Sequence, residues 1–75
     1  MDLTDRTTIN PDVLAGKPII RGTRISVELI LEQLGQGWSI DDVLAGYPHL
    51  ERSDILACIQ YAHKLVESEQ VYLTS

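Results

Sequence analysis

Glycine and proline cut the second half of this chain into three segments, and each segment carries an apolar stripe at helical spacing. Ser26 is a good N-cap residue. After it, Val27, Ile30, Leu31 and Leu34 fall at i, i+3, i+4 and i+7, which builds one apolar face. Leu29 lies off that face, and Gly35 and Gly37 supply residues suited to a helix end. In the second segment Ser39 and Asp42 form a Ser-x-x-Asp capping box, with Trp38 and Val43 in the positions of a hydrophobic staple. Asp41 and Asp42 suit the positive end of the helix dipole. Ile40, Val43, Leu44 and Tyr47 repeat the stripe, and Gly46 and Pro48 stop it. The third segment, from about Arg52 to Glu67, has Ile55, Cys58, Ile59, Ala62, Leu65 and Val66 as its expected inward stripe. Ser53 competes with Glu51 as its cap. Glu51 is favoured, because that start places Leu50 and Ile55 as a staple and Asp54 at the third helical residue. The order predicts a mainly α, trihelical helix-turn-helix unit over residues 26–68, in which the last helix would be the DNA reader.

The segment ahead of the helices reads differently. Residues 1–8 are polar and expected to be loose, although Thr7-Thr8-Ile9 has the β-branched character of a short strand. Asn10-Pro11-Asp12 and Ala15-Gly16-Lys17-Pro18 read as turns. Ile19-Ile20 and Thr23-Arg24-Ile25 are short β-type pieces around Arg21-Gly22, completing a region of strands and turns over 9–25. Two such pieces make no stable sheet in water, so they need a third strand, such as Thr7–Ile9, or a second copy of the chain. Ile9, Ile19, Ile20 and Ile25 are the expected dimer contacts. Residues 69–75 form a tail in which Val71, Tyr72 and Leu73 are either frayed or a small docking strand.

Size sharpens the expectation of a dimer. A single domain of 75 residues has a marginal core, and small scaffolds are usually reinforced by disulfides, a metal or a partner subunit. Cys58 is the only cysteine, which excludes an internal disulfide and a Cys-rich zinc site. Its place on the apolar stripe marks a buried, inert thiol. His49 and His63 have no metal-ligand spacing with each other or with Cys58. No acid–base or nucleophile set is visible, the glycine pattern is too short for a phosphate loop, and neither catalysis nor a cofactor is expected. No apolar run is long enough for a membrane span, and the start of the chain lacks the pattern of a signal peptide. A cytoplasmic protein is the expectation.

The net charge of −5 argues against coating nucleic acid through a global field, but the charge is uneven. Residues 1–38 hold four basic and five acidic groups, whereas 39–75 hold two basic and six acidic ones. Lys17, Arg21 and Arg24 put half of the 6 basic residues into one stretch with no acid among them. Their arginine forks suit phosphates and guanine edges. They are equally placed to pair with Asp12, Glu28 or Glu32 and stiffen the hairpin. On the third helix, Arg52, Ser53 and Gln60 are the candidate contacts to bases or phosphates, while Asp54, Glu67 and Glu69 oppose DNA unless turned away.

Three blocks carry a resemblance: Gly16-Lys17-Pro18-Ile19-Ile20-Arg21-Gly22-Thr23-Arg24-Ile25, Gly37-Trp38-Ser39-Ile40-Asp41-Asp42-Val43-Leu44 and Tyr47-Pro48-His49-Leu50. In this order and spacing they resemble the domain of unknown function 433 family, over roughly residues 8 to 66. The resemblance implies a homeodomain-like three-helix fold preceded by short strands. It also implies an antitoxin role beside a PIN-like ribonuclease toxin. With the trihelical pattern and the basic cluster it makes operator DNA a further expected partner, and the acidic third helix leaves a protein-interaction module without DNA binding as the alternative. One departure is Glu51, where the family commonly has Thr or Ser as the cap of the third helix.

Overall fold

The computed structural model describes residues 4–68. A single 3₁₀ turn, Thr4–Arg6, leads into β1 (Thr7–Ile9), which pairs antiparallel with β2 (Pro18–Ile20) in the register Thr7↔Ile20, Thr8↔Ile19 and Ile9↔Pro18. Between the strands the chain reverses at Asn10, whose side-chain oxygen accepts from the Asp12 N–H at 2.9 Å while its carbonyl accepts from Val13 at 3.0 Å. A second turn then runs left-handed through Leu14, Ala15 and Gly16, with φ of 51°, 55° and 83°. Only the glycine holds that conformation without cost; each of the other two stores on the order of 1 kcal/mol.

Residues 4–8, the described part of the segment expected to be loose, are engaged, while residues 1–3 and the expected tail over 69–75 lie outside the described residues. The Arg6 carbonyl accepts from the Arg21 N–H at 2.8 Å, which extends the hairpin by one bond beyond β1. The expected strand over Thr23–Ile25 is instead a tight turn. Thr23 N–H and its hydroxyl both donate to the Ile20 carbonyl, and the Ile25 N–H donates to the Thr23 hydroxyl oxygen at 3.0 Å. That hydroxyl takes the place of a ladder partner, so β-type pairing survives only as the bridge Ile19↔Ser26. Gly22 sits in the turn with φ 79°.

Three helices follow: α1 (Val27–Gly35), α2 (Ile40–Gly46) and α3 (Arg52–Ser68). The Ser26 hydroxyl accepts from the Leu29 N–H at 3.0 Å and starts α1. Its end is a Schellman motif, with Trp38 N–H donating to Gln33 and Gly37 N–H to Leu34, which needs the φ of 99° at Gly37. The capping box of α2 forms in both directions: Asp42 N–H donates to the Ser39 hydroxyl at 3.0 Å, and Ser39 N–H to the Asp42 carboxylate at 2.9 Å. Trp38, expected to lie over Val43, stays exposed while Val43 is buried. α3 starts on the earlier of its two candidate caps. The Asp54 carboxylate accepts from the Glu51 N–H at 2.8 Å, one half of a capping box.

The core gathers Ile20, Val27, Ile30, Val43, Leu50, Ile55 and Cys58, with Ile25, Leu31, Leu34, Ile40, Leu44, Tyr47 and Tyr61 packed around it. Ile19 and Ile20, expected at a subunit interface, are 3% and 1% exposed within one chain, and Ile25 packs on the core; only Ile9 faces outward. The first helical turn after β2 folds back over the strand and covers those side chains from within.

The expected stripe of α3 also needs correction. Asp54, Ile55, Ala57 and Cys58 are its buried residues, whereas Ile59, Leu65 and Val66 are 41%, 51% and 63% exposed. Length explains Leu65: α3 has 17 residues against 9 in α1 and 7 in α2, so its second half runs past the body that could cover it. Ile59 and Val66 lie on its outer side. No helix among the described residues is long and apolar enough to cross a membrane.

Candidate interaction surface

The cations placed in the candidate DNA site are mostly held by neighbours. Lys17 Nζ donates to the Glu28 carboxylate at 2.9 Å, an exposed pair that ties the start of β2 to α1. Arg21 donates from Nε to the Asp5 carbonyl. Arg52 pairs with Asp41 at 2.6 Å, joining the starts of α3 and α2. Ser53 is half-buried and Gln60 exposed. Arg24 is exposed with neither an ion pair nor a side-chain hydrogen bond among the described residues. Arg21 and Arg24 share the rim of a shallow concavity of about 520 Å³, which also takes in Thr8, Ile9 and Asn10. Lys17 is not part of that rim.

A residue without local signal proves central. Arg6 Nη1 donates to Asp54 at 3.1 Å and to Glu51 at 3.2 Å, clasping the first turn of α3. The Asp54 hydrogen bond holds the guanidinium pKa above its ordinary value, with both carboxylates adding charge attraction. The acids at the start of α3, expected to repel DNA, are thus spent on an internal clasp. Arg21 and α3 are linked through the same residue, one to its carbonyl and the other to its side chain.

The outer side of α3, where a base-reading helix would present cations, carries Leu56, Ile59, Gln60, His63 and Val66. Beside it, β1 and the second half of α3 enclose a groove of about 440 Å³. Ala57, Tyr61 and Leu65 supply its apolar lining, with Thr7, Gln60, Lys64 and Ser68 at its edges. Leu65 enters this groove because its side of the helix continues the buried side of Cys58 beyond the core. The groove was not foreseen, and a signal for it existed: apolar residues occupy more of the circumference of α3 than a bundle this small can cover. Cys58 itself is buried, and burial followed by the charge of Asp54 pushes its thiol pKa up to about 12. It has no nucleophilic role at neutral pH. Among the described residues no group of three or more His, Cys, Asp or Glu side chains stands ready for a metal.

The family described as "Protein of unknown function (DUF433)" matches residues 7–62, from the first residue of β1 to the point where α3 leaves the body. The chain belongs to the DUF433 family. Its match to the uncharacterized protein y4eO of Sinorhizobium fredii (strain NBRC 101917 / NGR234) is 34% identical over 55 residues, which is 73% of this chain and 25% of that protein. The crystal structure of a DUF433 member from Anabaena variabilis ATCC 29413 superposes with a TM-score of 0.79 at 34% identity, covering 87% of this chain and 64% of the other. The chain thus spans a quarter of the one relative and just under two thirds of the other. The DUF433 fold here is three helices behind a two-stranded antiparallel hairpin, mainly helical.

Proposed function

We propose that this DUF433 protein is an antitoxin that acts in the cytoplasm by binding alone, seating the groove of α3 on a PIN-like ribonuclease toxin. The observation that carries the reading is the groove itself, where Tyr61 and Leu65 offer apolar anchoring beside the polar edge of Gln60 and Lys64. A half-buried tyrosine is the kind of anchor that protein interfaces favour, with polar and charged groups at the rim. The net charge of −5 suits a partner with a basic face. Co-expression with a PIN-like ribonuclease from the adjacent reading frame tests it. The wild-type chain relieves growth arrest and co-purifies with the nuclease, whereas Leu65→Asp costs on the order of 2 kcal/mol, or about 30-fold in affinity. Equal relief by Leu65→Asp, or none by the wild type, overturns the reading.

A second reading, autoregulation at operator DNA, rests on Arg21 and Arg24, which share one exposed rim with no carboxylate paired to either among the described residues. With so few cations per chain, binding should be weak and salt-sensitive. A gel shift on the protein's own upstream DNA should show a complex at low salt that Arg24→Ala loses. A complex that Arg24→Ala leaves untouched removes this rim from the account.

A further inference from the structure

The outer side of α3 is a separate surface from the groove. Leu56, Ile59, His63 and Val66 recur at i, i+3, i+7 and i+10, the alternating spacing of a coiled-coil seam. All four are exposed, with Leu56 at 40% and Ile59 at 41%, while Ile55 and Cys58 face the core. Most exposed helices interleave charge into such a row; this one has a single polar residue in it.

We infer that the seam pairs with α3 of a second copy of this chain, antiparallel and about a two-fold axis. The register follows from the spacing. Antiparallel helices centred on Tyr61 set Leu56 against Val66 of the second copy and Ile59 against His63 of the second copy, so all four seam positions are used at once. Charge favours the same direction. Arg52 flanks one end of the seam and Glu67 the other, so antiparallel pairing brings unlike charges together and parallel pairing brings like charges together. Asp41 holds only Nη2 of Arg52, which leaves most of the guanidinium fork free to reach Glu67 of the second copy. The helix dipoles oppose in this direction as well. A second copy also supplies the reinforcement that a chain of 75 residues without a disulfide calls for.

Two strips of four side chains bury much less than the roughly 1,600 Å² of a standard stable interface, so the dimer dissociates with a constant on the order of 100 μM. His63 lowers the affinity and fixes the register, as a lone polar residue in a seam does.

Sedimentation equilibrium of the full chain, from about 10 μM to 1 mM around that constant, tests the pairing. The wild-type mass climbs toward the dimer. Ile59→Asp and Leu56→Asp, both at exposed positions and checked for helicity by circular dichroism, weaken association at least about tenfold, and His63→Leu tightens it by about the same factor. Leu65→Asp, on the groove side, leaves the dimer unchanged. Direction is read from an oxidised mixture of Leu56→Cys and Val66→Cys chains, in which the mixed disulfide dominates while the buried Cys58 thiol stays silent. A wild-type monomer throughout, an Ile59→Asp chain that dimerises like wild type, or disulfides only between identical chains overturns the inference.

Discussion

Asp54 holds two unlike groups in place. One oxygen accepts from the Glu51 N–H at the start of α3 and the other from Arg6 at 3.1 Å, and the side chain is almost wholly buried. Asp54→Ala leaves an orphaned helix N–H beside a cation without its nearer carboxylate. The expected loss is about 1.5–3 kcal/mol of stability, read from urea melts, since hydrogen bonds to charged groups contribute in that range. Asp54→Asn, whose single amide oxygen can still accept at one of the two sites, should lose less. The cap was legible in the sequence, because Glu51 and Asp54 stand three apart just ahead of an apolar stripe. Arg6 was not. It sits in a polar segment with no period, and its partner is 48 positions away, a separation that leaves no local pattern. Lys17 was half legible: Glu28 stood among its available partners, and the geometry of α1 against β2 made the choice.

At the scale of elements, the capping box of α2 gives the protein a titratable joint. The backbone N–H of Ser39, and after it the Ser39 side chain, hold the Asp42 carboxyl below its ordinary pKa. A folded value below the unfolded one means a contribution that is complete above about pH 4 and lost as pH falls through the folded value. Asp42→Asn should therefore be less stable than wild type at pH 7, with a gap that closes on acidification below about pH 4. Paired urea melts at both pH values check it; a gap of constant size contradicts the assignment. The starts of all three helices were legible because caps and glycine ends are local chemistry. The strand expected at Thr23–Ile25 misled because β-branched residues announce extended backbone and say nothing of a hydroxyl that closes a turn. The outer and inner sides of α3 were confused for a related reason. An apolar period shows that a residue prefers cover, not whether any cover is there.

On the scale of the whole molecule, one long helix beside two short ones leaves Leu65 uncovered in the groove, while the seam is the outer side of that helix. The extents of 44 × 30 × 26 Å reflect α3 running past α1 and α2, and Leu65 and Val66, beyond that point, are exposed. Family membership was readable from three short blocks, which hold turns, the Ser39 cap and the core residues Ile20, Val43 and Leu50, and the three-helix order from the apolar stripes. The candidate surface was harder to read, since it depends on relative lengths and on which cations find acids across the fold. The Arg6 clasp has one more consequence, for synthesis. Arg6 leaves the ribosome 48 residues ahead of Asp54, so its ion pair waits on a segment made much later. Long-range contacts of this kind slow folding because the loop between them must close first. During that wait β1 is paired with β2 but lacks its packing on α3, and a nascent chain halted before α3 should be open to proteolysis around β1.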